Sequence, residues 1–356
     1  MSPRPPLKAH VSAPEPGDPS GWMFLQRSTS THSACLSFLP YKPPLPSAPL
    51  FLLPLPSPKM RIPTLPLGHP PHPPPLPSLG LGTWKAPKGV TAPVVTAALR
   101  AGYRMLDCAC DYGNEQEVGA GISDALSAAT VTRDDIFVTS KLWNTFHKRE
   151  HVKPALLRSL ADLRLQKLDL YLMHFPISLA YTWKAMEALV DEGLVSHIGV
   201  CNFPAALLMD LLSYARIKPA VLQVEMHPYL QQVNLLELCK REGVQVTAFS
   251  PLGASSYVEL NMDRGDRLLD DPVLKKIAEK KGCSVAQVAL RWGVQRGTSV
   301  IPKTCKVERL GQNMDVFGFE LDKQEMAEIA ALDRGTRYND PGVFCKGMGH
   351  SIPIYD

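Results

Sequence analysis

Asp107, Tyr112, Lys141 and His174 are an acid, a phenol, an amine and an imidazole, each at or just past the end of a short apolar run. Such a set suits polarising a carbonyl group and protonating its oxygen as charge develops there. A phenolate costs less beside a cation, so a lysine next to a tyrosine eases release of the phenolic proton. In this scheme Tyr112, five residues past Asp107, donates the proton and Lys141 depresses its pKa. Asp107 holds the lysine, and a neutral His174 orients the substrate carbonyl. The group has no electron source of its own and needs a hydride from a nicotinamide cofactor. A metal centre on Asp107, His174 and Glu225 is the competing use of these residues. The lysine among them would repel a cation, so no metal is expected.

More polar residues stand at later run ends: Cys201 and Asn202, Gln223 and Glu225, Ser250, then Lys303 and Thr304. One polar residue closing a strand means little. Seven strand ends in succession doing so describe a site, and a (β/α)8 barrel collects its chemistry at that end. The runs expected as strands are 79–84, 103–108, 136–141, 168–174, 195–201, 221–224, 246–249 and 299–301. Amphipathic stretches expected as helices alternate with them, at 91–101, 115–128, 152–163, 182–192, 205–215, 234–242, 285–296 and 307–316. This alternation predicts an α/β fold, a (β/α)8 TIM barrel. Two further helical patterns, 272–281 and 323–332, exceed the eight units and are expected as extra helices on the outside. A doubly wound sheet would want a glycine-rich G-x-G-x-x-G turn after its first strand, and none follows 79–84.

The segment 1–77 reads differently. The first 78 residues hold 22 of the 34 prolines and two acids, Glu15 and Asp18, against six Lys or Arg. Proline at this density continues neither a helix nor a central strand, so a disordered or polyproline-like arm is expected. Residues 60–67 could still supply part of a small hairpin under a barrel. The run Leu50-Phe51-Leu52-Leu53 is bounded by Pro49 and Pro54 and is too short to span a bilayer. The basic, serine-containing composition also fits an organellar transit peptide, though proline richness argues against one. A cytoplasmic protein with a dispensable arm is the main expectation, with 78–356 as the barrel domain.

A net charge of +4 on 356 residues is too small to argue for nucleic acid. Eight cysteines without a C-x-x-C pair point to reduced thiols. The partner expected is a small-molecule aldehyde or sugar, with no nucleic acid or membrane, and the chain is expected as a monomer or weak dimer.

The sequence resembles the aldo-keto reductase superfamily from about Pro77 to the C-terminus. The resemblance lies in Asp107-Cys-Ala-Cys-Asp-Tyr112-Gly-Asn-Glu, Ser140-Lys141-Leu-Trp143-Asn and Leu172-Met-His174-Phe-Pro176. It continues in Ile198-Gly-Val-Cys-Asn202-Phe, Gln223-Val-Glu-Met-His227-Pro, Ser250-Pro-Leu-Gly253 and Ile301-Pro-Lys303-Thr. It implies that Asp107, Tyr112, Lys141 and His174 are the catalytic tetrad and that NADPH, or less favourably NADH, lies across the barrel mouth. Thr83, Trp84, Cys201, Asn202 and Gln223 would lie along the nicotinamide end, with Asn202 and Gln223 on the carboxamide and the Phe249 ring stacked on the nicotinamide. Ser250 and Leu252 would line the pyrophosphate tunnel. Lys303, Thr304 and Arg309 would take the 2′-phosphate, with Gln312 and Asn313 near the adenine. Within the superfamily the look is nearest to xylose reductases and sorbitol-6-phosphate dehydrogenases, which places Trp84, Asp111, His174 and Asn339 against the sugar. The implied activity is NADPH-dependent reduction of aldehydes and aldoses to alcohols. A catalytically weak NADPH-binding barrel that docks other proteins is the alternative.

Three departures from the pattern matter. Cys201 stands where serine is usual and is a weaker donor, so a modest loss of cofactor affinity is expected. Phe249 stands where tyrosine is common; stacking survives, the hydroxyl does not. Only about five residues separate Pro176 from the next expected helix, where relatives carry a long loop, so a more open substrate pocket is expected.

Overall fold

The computed structural model describes residues 61–68, 74–177, 179–253, 267–344 and 353–355. The chain divides into units 1–52 and 53–356, and all described residues fall in the second. Most of the expected proline-rich arm, including the apolar run 50–53, therefore lies outside the described residues.

A short antiparallel hairpin comes first, β1 (Thr64–Leu65) paired with β2 (Leu76–Pro77). Eight strands follow: β3 (Leu81–Gly82), β4 (Met105–Asp107), β5 (Phe137–Leu142), β6 (Leu168–Met173), β7 (Val195–Cys201), β8 (Val221–Glu225), β9 (Gln245–Phe249) and β10 (Ser299–Val300). They form one sheet in strict chain order, every neighbouring pair parallel. The first and last strands meet. Leu79 bridges Val300 in parallel, the Gly80 amide donates to the Val300 carbonyl at 2.9 Å, and the Gly82 amide donates to the Pro302 carbonyl at 3.1 Å. This closes the (β/α)8 barrel that the alternating pattern predicts, with residues 79–82 serving as its first strand.

Parallel strands need long crossovers, which helices supply. These are α1 (Thr91–Ala101), α2 (Glu115–Ser127), α3 (Arg149–Leu163), α4 (Leu179–Asp191), α5 (Ala205–Tyr214) and α6 (Val233–Glu242). Between β9 and β10 stand α7 (Pro272–Lys281) and α8 (Val285–Gln295), and α9 (Val307–Met314), α10 (Lys323–Ala330) and α11 (Pro341–Phe344) follow β10. The two surplus helical patterns are α7 and α10, joined by Lys276–Glu328, Lys280–Asp322 and Lys281–Glu325 ion pairs at 3.3, 3.2 and 3.0 Å. Pro272 occupies the first turn of α7, where its missing N–H costs nothing, and the Asp271 carboxylate caps the Val273 and Leu274 amides.

Strand residues alternate between two apolar layers. Leu106, Val138, Tyr171 and Met173 pack with helix residues such as Val95, Ile122 and Leu156. Met105, Phe137, Leu170, Leu172 and Val221 form a separate cluster that contains no helix residue and therefore fills the barrel interior. Leu67 and Leu76 of the hairpin segment belong to this inner cluster, so the hairpin packs into one end of the barrel. The chemistry gathers at the other end. Glycine is needed at Gly199 of β7, where a Cβ would sit 2.4 Å from the Val221 carbonyl oxygen.

Two helices begin earlier than the sequence pattern predicts. α3 starts at Arg149 and α4 at Leu179, each three residues ahead of expectation. No more than two residues thus separate Pro176 from α4, rather than about five.

Candidate active site

Asp107 ends β4 and Lys141 lies near the end of β5, and both side chains are almost wholly buried. The Lys141 ammonium donates to Asp107 Oδ2 at 2.7 Å and to the Cys108 carbonyl at 2.8 Å. The other Asp107 oxygen accepts from Gln223 Nε2 at 2.7 Å, and Gln223 comes from β8 across the barrel. Burial pushes the Lys141 ammonium toward losing its proton, but the charge and hydrogen bond of Asp107 outweigh that cost and hold its pKa above the usual value. The lysine is therefore a fixed positive charge.

β4 is followed by a 3-10 turn, Cys110–Tyr112, ended by Gly113 in the left-handed region at φ 69°. That turn brings the Tyr112 ring back over the pair, with Lys141 Nζ 4.9 Å from the ring centroid. His174 directly follows β6 and its amide donates to the Leu142 carbonyl at 3.1 Å. Its ring meets Tyr112 edge-on at 5.9 Å and Trp143 at 5.2 Å, and stacks on Phe175 at 5.2 Å. Asp111 Oδ1 lies 3.1 Å from His174 Nδ1. The four residues singled out for chemistry thus converge on one rim, joined by Asp111.

Several residues assigned to the cofactor end share this rim. Thr83 donates its hydroxyl to the Asp107 carbonyl at 2.8 Å, and Trp84, next in sequence, carries Lys85 Nζ 4.9 Å from its ring centroid. Cys201 is buried and in register with Gln223; burial pushes its thiol up, so it stays protonated. Asn202 holds a left-handed backbone at φ 62° and donates Nδ2 to the His174 carbonyl at 2.9 Å. Its Oδ1 accepts from the Tyr355 hydroxyl at 3.1 Å. Phe249 ends β9 and packs against the inner cluster, and Ser250 follows at φ 49°, with Leu252 two residues on.

The adenosine-end candidates lie after β10. Lys303, Arg309 and Gln312 are exposed, while Thr304 is buried and its hydroxyl accepts from the Lys306 amide at 3.1 Å. Asn313 is buried. Asn339 lies in the segment before α11, where its amide donates to Glu225 Oε2 at 2.8 Å.

A nicotinamide cofactor fits this rim on its own chemistry. Asn202 directly follows β7, and its Oδ1, which takes the Tyr355 hydroxyl, keeps a second lone pair with which a carboxamide N–H could be received. Lys303, Lys306 and Arg309 put exposed positive charge at the start of α9, against one nearby acid, Glu308. Among the described residues no group of three or more His, Cys, Asp or Glu is disposed to hold a metal ion, and no helix is long and apolar enough to cross a membrane. The six described cysteines are free thiols.

Tyr355 and Trp143 were not among the expected site residues. Trp143 could have been found from its place two residues after Lys141. Tyr355 gives no sequence signal, because its partner Asn202 is 153 positions away.

Residues 78–334 match the family described as aldo/keto reductase. Among curated relatives, the chain is 46% identical over 296 residues to a probable NAD(P)H-dependent D-xylose reductase of Emericella nidulans, covering 75% of this chain and 93% of that protein. It is 44% identical over 298 residues to the NAD(P)H-dependent D-xylose reductases of Pyricularia oryzae and Hypocrea jecorina, covering 75% of this chain and 92% of each.

Proposed function

The chain belongs to the aldo/keto reductase family, and on that premise we propose that it reduces aldehydes and aldoses of the D-xylose kind to alcohols with NADPH. The observation that carries this reading is the buried Asp107–Lys141 ion pair beneath the Tyr112 ring, with His174 on the same rim. A buried ion pair is an expensive way to gain stability, and a hydrophobic pair of the same size often serves as well. Its use here is chemical.

NADPH, when bound, supplies a hydride to the carbonyl carbon. The chain does the rest. Tyr112 gives its phenolic proton to the carbonyl oxygen as negative charge builds there. Lys141 stabilises the phenolate left behind, and Asp107 keeps that ammonium charged and in place. His174 donates a hydrogen bond that turns the carbonyl toward Tyr112. Trp84, Asp111 and Asn339 receive the sugar hydroxyls. A site that bonds hydroxyls discriminates strongly, because a substrate lacking them leaves buried groups unpaired.

Asn202, Gln223 and Cys201 would hold the carboxamide, with Thr83 and Trp84 beside it and Phe249 against the ring. Ser250 and Leu252 would lie along the pyrophosphate. Lys303, Thr304 and Arg309 would take the 2′-phosphate, with Gln312 and Asn313 at the adenine end. The 2′-phosphate distinguishes NADPH from NADH, and a guanidinium binds it with charge-assisted bonds worth roughly 1.5–3 kcal/mol each. Arg309→Ala is therefore expected to raise the KM for NADPH at least about tenfold while leaving that for NADH nearly unchanged. Equal effects on both cofactors, measured by initial rates, would remove Arg309 from the phosphate site.

We further propose a cytoplasmic enzyme acting as a monomer or weak dimer, without nucleic-acid or membrane partners. Initial rates with D-xylose, D-glucose, glucose 6-phosphate and an aromatic aldehyde, each with NADPH and NADH, test the whole reading. NADPH-dependent consumption of D-xylose is expected; tight NADPH binding without turnover of any of the four would overturn it.

A further inference from the structure

Glu225 closes β8 with a fully buried carboxylate that the reaction scheme leaves unused. Its oxygens grip the backbone of the C-terminal segment. Oε1 accepts from the Tyr338 amide at 2.9 Å, and Oε2 accepts from the Asn339 amide at 2.8 Å. His227 Nε2 stands 2.9 Å from Oε1, and the Tyr338 ring leans on the His227 ring at 5.4 Å. The Tyr229 carbonyl accepts from the Arg334 and Thr336 amides at 3.2 and 3.0 Å, so the whole β8 loop serves as a dock for residues 334–339. Backbone amides held by a buried carboxylate are fixed more firmly than amides facing water, since charge-assisted bonds are short and strong.

We infer that Glu225, held by His227, is a positioning residue that sets substrate selectivity by fixing where the chain presents Asn339 at the barrel mouth. This rests on the reading of the site as an aldose reductase in which Asn339 meets sugar hydroxyls. A polyhydroxylated aldehyde needs Asn339 in register with its hydroxyls; a plain aldehyde such as propanal does not. Replacing the carboxylate by an amide turns an –NH2 toward a backbone N–H, and the segment must shift to relieve the clash of donors. A displacement of about 1 Å at a positioning group can cost up to about 10²-fold.

The test measures kcat and KM for D-xylose and for propanal, with NADPH, in the unaltered chain, Glu225→Gln, Asn339→Ala and the double variant. Glu225→Gln is expected to raise the KM for D-xylose about tenfold, with kcat and the propanal kcat/KM held within about twofold. The double variant is expected to lose little beyond Asn339→Ala alone, because both act through one contact. Parallel losses on D-xylose and propanal, or additive losses in the double variant, would overturn the inference. Glu225→Asp, which keeps the charge but withdraws the oxygens, is read by the same split if Glu225→Gln fails to fold. Failure of both to fold would also overturn it, since Glu225 would then be a folding residue. No NADPH-dependent reduction of either aldehyde by the unaltered chain would instead overturn the proposed function itself.

Discussion

Tyr112→Phe is expected to lower kcat for aldehyde reduction by about 10²-fold or more, the range associated with losing a positioned general acid. The substitution removes one oxygen and keeps the ring that lies over Lys141 Nζ and against His174. Packing should therefore survive, and NADPH affinity, read by fluorescence titration, should change little. Loss of turnover with retained binding is the signature of an interaction made mainly in the transition state. Unchanged kcat would assign the proton to another group. His174, on the same rim, would then be the candidate, because Cys110 is a poor acid, its thiol pushed up to about 12 by burial.

Lys141→Met should do more harm, because it attacks fold and chemistry together. Methionine fills similar space but leaves the Asp107 carboxylate buried with only Gln223 Nε2 and its remaining neighbours to answer its charge. Breaking a buried pair on one side typically costs about 3–5 kcal/mol. A clear fall in unfolding free energy is expected in urea titration, together with loss of turnover beyond that of Tyr112→Phe. The double variant Lys141→Met/Asp107→Leu separates the two effects. With no charge left unpaired, much of the stability should return, while activity stays absent. Recovery of activity along with stability would show that the pair serves the fold and not the reaction.

How far the sequence could be read follows from how local each signal is. The strands stand out as short, mainly apolar runs because parallel barrel strands are covered on both faces, and β6 is buried at all six positions. Asp107, Lys141 and His174 stand at the ends of such runs, so a barrel brings them to one rim. Tyr112 needed only the short distance from Asp107. The helix starts were less visible. The expected helix begins at Thr182, but that residue lies inside α4, and its hydroxyl donates to the His147 carbonyl at 2.7 Å. The first residues of α3, Arg149 to His151, are exposed and show no apolar period. The hairpin partner Leu76–Pro77 is two residues long in a proline-rich stretch, and only its seat in the inner cluster reveals it. The contacts of Glu225 with residues 338 and 339, and of Tyr355 with Asn202, join positions more than a hundred residues apart. No pattern within a window of sequence can report them.

The most direct measurement of the central claim follows deuterium. The purified chain is incubated with D-xylose and NADPH carrying deuterium at both C4 positions, and the sugar product is weighed by mass spectrometry. Direct reduction at this rim predicts a pentitol one deuterium heavier, formed one for one with NADP+. NADPH left intact, or a pentitol whose new C–H hydrogen came from water, would contradict the account.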